Sequence, residues 1–209
     1  MLSFDAILFD FDGVLADTEP FHWTCWAEVV KPLGLHLTWD YYRAHCVGID
    51  DRDMLRMMAA SADPPRDWED LWAQYPRKKE LFRARTLAAP PFDRELDGWL
   101  CGLHRDYKLA VVSSSARSEI DALLAAGGLR RHFDALVCAD DVPGRKLKPA
   151  PDPYLMAAKQ LGAVHPLVVE DSQAGIASGR AAGFEVLPVA GPDRLRETVD
   201  ERLAVGRTV

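Results

Sequence analysis

Four short apolar runs set the first constraint: Ala6-Ile7-Leu8-Phe9, Leu109-Ala110-Val111-Val112, Ala135-Leu136-Val137-Cys138 and Leu167-Val168-Val169. None alternates polar with apolar residues. A strand with one wet face would alternate, whereas a strand covered on both faces is apolar throughout, as in a parallel sheet. A fifth, weaker run is Val186-Leu187-Pro188-Val189. Segments of helical length lie between them and end at glycine: Ser118 to Ala126 before Gly127-Gly128, Pro153 to Leu161 before Gly162, and Ala174 to Ala182 before Gly183. Strand, helix, strand at this rhythm predicts an α/β fold with right-handed crossovers.

The stretch from about Asp17 to Arg85 breaks the rhythm and contains no convincing strand. It reads as helices over Phe21 to Leu33, Thr38 to Cys46, Asp50 to Ser61 and Asp67 to Arg85, punctuated by Gly34, Gly48 and Pro64-Pro65. Such a block after the first strand looks like a helical cap domain, with Ala88-Ala89-Pro90-Pro91 as the return linker. The expected division is therefore a core of residues 1–16 and 86–209 and a cap of residues 17–85. The tail from Pro192 to Val209 reads as one helix and a loose end.

With 209 residues and 48% hydrophobic side chains, the chain can bury a real core. A net charge of −7 disfavours a nucleic-acid partner, which wants a basic face. The first apolar run is broken by Asp10 and is far too short to cross a bilayer, so no membrane association is expected. Cys25, Cys46, Cys101 and Cys138 show neither Cys-x-x-Cys nor zinc spacing, which suits idle thiols in a reducing compartment, and a cytoplasmic location is expected.

Polar residues stand where the apolar runs stop, and in an open parallel sheet ligands bind beyond the carboxyl ends of the strands. Asp10-Phe11-Asp12-Gly13 follows the first run. In extended chain, residues two apart point the same way, so Asp10 and Asp12 share one pocket. Two close carboxylates call for a cation, and hard oxygens favour magnesium. One carboxylate can attack phosphorus and the other can shuttle a proton. Ser113 follows the second run; it is either a turn serine or a hydrogen-bond donor to a phosphate oxygen, with the backbone N–H groups of Ser114 and Ser115 assisting. Lys148, stiffened by Pro149, can neutralise phosphoryl charge, with Lys146 as the competing choice. Glu170-Asp171-Ser172 follows the fourth run and supplies further oxygens for a metal.

Taken together, Asp10-Phe11-Asp12-Gly13-Val14-Leu15, Ser113, Lys148-Pro149-Ala150-Pro151-Asp152 and Glu170-Asp171-Ser172 with Gly175-Ile176 resemble the haloacid dehalogenase superfamily, in the branch with a helical cap after the first motif. The resemblance implies a Rossmann-like parallel-sheet core. It makes Asp10 the nucleophile that becomes an aspartyl phosphate. Asp12 becomes the general acid/base and a metal ligand through its main-chain carbonyl. Ser113 and Lys148 hold the phosphoryl group, Asp171 binds magnesium, and Glu170 does so directly or through water. The dehalogenases and phosphonatases of that superfamily generally lack an acid at the position of Asp12, so the resemblance favours phosphate esters.

Asp17-Thr18-Glu19-Pro20-Phe21-His22, with Trp26 one turn on, resembles the β-phosphoglucomutase group and its phosphatase relatives, where His22 matches a cap-hinge histidine. His45-Cys46-Val47-Gly48-Ile49-Asp50-Asp51-Arg52 is similar to that group's specificity loop. Mutases tend to carry an arginine soon after the glycine to grip a second phosphate; here Asp51 stands near that place and Arg52 follows. Arg77-Lys78-Lys79 reads as a solvated helix face, with a basic run facing the site as the alternative. The expected activity is a magnesium-dependent hydrolase of small phosphorylated metabolites, with a β-phosphoglucomutase-like isomerase as the alternative and a monomer or weak homodimer as the assembly.

Overall fold

The apolar runs become five parallel strands in the computed structural model, which describes residues 4–47 and 49–207. They are β1 (Ala6–Phe9), β2 (Lys108–Val112), β3 (Ala135–Val137), β4 (Pro166–Glu170) and β5 (Glu185–Pro188), in spatial order β3-β2-β1-β4-β5. Strand β1 is central and pairs Ala6 with both Lys108 and Pro166. Every residue of β1 and β4 is buried, as their apolar runs require and with Glu170 closing β4, whereas edge strand β5 is not. Cys138 falls outside β3 because its N–H turns to Asp141 Oδ2, 2.8 Å away, at the start of a short 3₁₀ turn. The order reverses at β1, since β2 and β3 extend one way and β4 and β5 the other. That reversal leaves a crevice at the carboxyl ends of the central strands.

Contacts divide the chain into two compact units, Met1–Asp17 with Pro90–Val209, and Thr18–Ala89. The inserted unit holds α1 (Glu19–Val30), α2 (Trp39–His45), α3 (Asp51–Ser61), α4 (Trp68–Trp72) and α5 (Tyr75–Ala88). Thr38, Asp50 and Asp67 each accept a hydrogen bond from a backbone N–H of the following first turn, which fixes where α2, α3 and α4 begin. The single helix expected over Asp67 to Arg85 is two. Pro76 has no N–H to give to the preceding turn, so the chain stops at Trp72 and restarts at Tyr75. The unit is built on fully buried Trp26, Leu55 and Leu71 with a ring of further aromatic side chains. Burying each such side chain stabilises by roughly 1.5–3 kcal/mol.

The sheet unit adds α6 (Leu96–Leu103), α7 (Arg117–Ala126), α8 (Asp152–Leu161), α9 (Gln173–Ala181) and α10 (Pro192–Arg207). Helix α6 was not expected, because Gly98 and Gly102 weaken its signal; Leu96, Leu100 and Leu103 nevertheless recur on one buried face. Helix α8 buries Tyr154, Ala157, Ala158 and Leu161 against β1, β2 and β3. Gly162 ends it in the left-handed conformation, at φ 61°. No helix among the described residues is long and apolar enough to cross a membrane.

Candidate active site

The strand-end residues of the sheet unit meet around one lysine. Asp10 follows β1, and its N–H donates to Val169 O at 3.0 Å, extending the pairing with β4 by one rung. Strand β1 itself ends at Phe9, so extended-chain alternation does not carry Asp12. Phe11 still turns away, fully buried and edge-on to Phe92, while Asp12 pairs with Ala16 in a tight turn. Lys148 has a side chain only 4% exposed. Its Nζ donates to Asp10 Oδ1, to Glu170 Oε1 at 2.6 Å and to Val112 O at 3.0 Å. Lys146, the competing lysine, is exposed.

Glu170 is fully buried and saturated with donors. Its Oε1 accepts from Lys148 and from Tyr154 OH at 2.8 Å. Its Oε2 accepts from Asp171 N at 3.0 Å, Ser172 N at 3.1 Å and Ser172 Oγ at 3.0 Å. Ser172 Oγ in turn caps α9 by accepting from Gly175 N. Ser113 is buried after β2; its N–H donates to Val137 O, and its Oγ accepts from Ser115 N at 3.0 Å. The N–H of Ser115, expected to face a phosphate, is therefore spent on Ser113. Ser114 is exposed in the same loop. Ser115 Oγ lies 3.2 Å from Asp12 Oδ2.

Negative charge exceeds positive charge here. Burial, reinforced by Glu170 and Asp12, pushes the Asp10 carboxyl up to about 8 against the pull of Lys148. Asp171, though its edge opens to solvent, is pushed up to about 6 by burial and then by Glu170. Burial opposes the charge on Lys148, but Asp10 and Glu170 outweigh it and hold its pKa above the ordinary range. Carboxylate oxygens of Asp10, Glu170 and Asp171 lie within 4.8 Å of one another, a group able to hold a divalent metal ion. One lysine among four acids leaves a charge deficit that such an ion would fill. Gly13, at φ 77°, makes room: a Cβ there would stand 2.1 Å from Asp171 Oδ2.

Residues 7–189 match the family description "Haloacid dehalogenase-like hydrolase". The chain belongs to that family. It is 33% identical over 190 residues to the fructose-1-phosphate phosphatase YqaB of Escherichia coli (strain K12), covering 88% of this chain and 95% of that protein. It is 29% identical to a phosphorylated carbohydrates phosphatase of Thermotoga maritima, covering 87% and 82% of the two chains. A putative β-phosphoglucomutase from Thermotoga maritima shares the fold, with a TM-score of 0.74 at 24% identity over 94% of this chain and 99% of that one.

His22 lies in the inserted unit with a second buried lysine. Its ring stacks on Phe82 at 4.3 Å, and its Nδ1 is 2.8 Å from Lys78 Nζ. Lys78 also donates to Asp51 Oδ2 at 3.0 Å, and Asp51 Oδ1 accepts from Trp26 Nε1 at 2.8 Å. Lys78 is 3% exposed, so the solvated-face reading of Arg77-Lys78-Lys79 fails at its middle residue. Arg77 does face solvent, paired with Glu80. Burial first, then the neighbouring Lys78 charge, lower the His22 pKa to about 3, so the imidazole is neutral. Arg52 is laid over the Trp72 ring at 4.7 Å. Sequence reasoning did not single out Tyr154, which reads as one more core residue of a helix, nor the Ser115 hydroxyl.

Proposed function

We propose that this protein is a magnesium-dependent phosphatase of small phosphorylated sugars that works through an aspartyl phosphate on Asp10. The observation that carries the reading is the Asp10 carboxylate held against Lys148 beside Ser113, with Asp171 and Glu170 adjoining. The family and its sugar-phosphatase relatives support the substrate class. Asp10 attacks phosphorus, forming an Asp–O–P bond as the ester P–O bond breaks, and Asp12 delivers a proton to the departing oxygen. Water then attacks the same phosphorus, Asp12 takes its proton, and the Asp–O–P bond breaks to release phosphate and restore Asp10. Ser113 donates its hydroxyl hydrogen to a phosphoryl oxygen, Ser114 offers its N–H, and Lys148 offsets the phosphoryl charge. Asp10, Asp171 and the Asp12 carbonyl would hold the metal ion, with Glu170 contributing from behind because its own oxygens already accept five hydrogen bonds. Bound magnesium would supply the positive charge that the four acids lack.

His22 contacts substrate through Nε2, since Nδ1 is taken by Lys78. Asp51 is committed to Lys78 and Trp26, and Arg52 to Trp72, which favours water over a second sugar hydroxyl as the phosphoryl acceptor. Four free thiols support a reducing, cytoplasmic setting. A panel of sugar phosphates including fructose 1-phosphate, assayed with magnesium beside Asp10→Asn, tests the reading. Phosphate release by the wild type alone supports it; equal inertness of both proteins defeats it. With β-glucose 1-phosphate and a bisphosphate primer, formation of glucose 6-phosphate faster than phosphate would replace hydrolysis with isomerisation.

A further inference from the structure

Ser115 sits in the loop between β2 and α7, two residues beyond Ser113, and each of its polar groups has an assigned partner. Its N–H donates to Ser113 Oγ at 3.0 Å, its carbonyl accepts from Ala139 N at 3.0 Å, and its hydroxyl donates to Asp12 Oδ2 at 3.2 Å. The loop beyond it is pinned as well. Arg117 N–H donates to Asp140 Oδ2 at 3.0 Å, and the Arg117 guanidinium grips both oxygens of Asp141 at 2.9 and 2.7 Å. Asp141 is itself fixed by the N–H of Cys138 at 2.8 Å. Planar, two-pronged pairing of this kind holds direction as well as distance. The backbone that carries the Ser115 hydroxyl is therefore anchored on both sides, to the Ser113 turn and to the segment after β3.

Asp12 stands past the end of β1, in a turn whose glycine, Gly13, adopts φ 77°. A carboxyl in a turn needs a fixed partner if it is to meet a leaving oxygen at hydrogen-bond distance. We propose that Ser115 is a positioning residue that aims Asp12 for proton transfer, distinct from the phosphate-holding part played by Ser113. This rests on the reading of Asp12 as the general acid. A misplacement of about 1 Å at such a group can cost on the order of 100-fold in rate.

The test separates aim from binding by changing the leaving group. A sugar or glycerol alkoxide must be protonated as it departs, whereas 4-nitrophenolate leaves without a proton. The ratio kcat/KM reports steps up to departure of that group, and kcat also includes the later hydrolysis in which Asp12 takes a proton. Ser115→Ala should lower kcat/KM for an alkyl phosphate by about 10- to 100-fold, and for 4-nitrophenyl phosphate by less than about 3-fold. Ser115→Thr, which keeps the hydroxyl, should recover most of the loss. In an Asp12→Asn background, adding Ser115→Ala should cost little more, because the group it aims is already gone. Equal losses on both substrates would overturn the proposal and make Ser115 a phosphate-binding or purely structural residue. No loss on either, or a full further loss in the Asp12→Asn background, would also overturn it. The general-acid reading is judged separately by Asp12→Asn alone: if that variant does not discriminate between the two leaving groups, that reading fails, and the role of Ser115 fails with it.

Discussion

Each unit of the molecule buries one lysine among polar partners, and the two are solved differently. In the sheet unit, Lys148 faces Asp10 and Glu170 with Asp12 and Asp171 nearby, so acids outnumber the cation; burial first, and then the neighbouring acids, push the carboxyls of Asp10 and Asp171 upward. In the inserted unit, Lys78 meets one carboxylate, Asp51, and one neutral imidazole, His22, beside the rings of Trp26 and Phe82. That cluster closes its own charge account. An excess of buried acids calls for a cation from outside, whereas the Lys78 cluster balances its own charge.

The sharpest way to break this comparison is to neutralise one acid in each unit. Asp10→Asn should lower turnover by on the order of 10⁴-fold or more while the protein stays folded, because it removes the proposed nucleophile and relieves crowding among the carboxylates. Circular dichroism beside a phosphate-release assay checks it. If the acid excess is a metal site, magnesium at about 100 times its Kd should stabilise the protein by about 2.7 kcal/mol, read as a rise in Tm that a chelator reverses. Asp171→Asn should remove most of that rise, and a rise left intact would show that the ion binds elsewhere.

Lys78→Met tests the other unit. It leaves Asp51, with a side chain 29% exposed, without its cation, and should cost about 2 kcal/mol, below the cost of breaking a fully buried pair. Five of the six tryptophans, Trp23, Trp26, Trp39, Trp68 and Trp72, belong to this unit, so fluorescence-monitored denaturation reports its melting. The smallest effect concerns acid. The folded pKa of His22 is lowered to about 3 from an ordinary 6.5, so its neutral form contributes stability above pH 6.5 that is lost as pH falls toward 3. His22→Gln should flatten the pH dependence of the fluorescence transition across that window; an unchanged slope would show that other groups carry it.

How much was legible follows the same division. The sheet strands were readable because burial on both faces forces apolar runs, and the site residues because they stand at the run ends. Lys148 could be chosen over Lys146 only by its proline, and the fold adds the reason: one ammonium reaches Asp10, Glu170 and Val112 together. Lys78 was not legible, since a buried lysine on a helix flanked by Arg77 and Lys79 has the spelling of a wet surface. What buries it are Asp51 and His22, 27 and 56 residues away in sequence. Ser115 was hidden for a related reason, as its partner Asp12 is 103 residues distant.

At the neck of the insertion, Asp17 N–H donates to Pro91 O at 3.0 Å. The departing and returning chains are therefore joined where the helical unit begins and ends. A segment whose two ends already touch can be lengthened, shortened or exchanged without moving the strands beneath it, because the junction sees only a loop of different size. The neck makes the sheet unit a socket, in which the strands stay in place while the inserted module is free to be replaced.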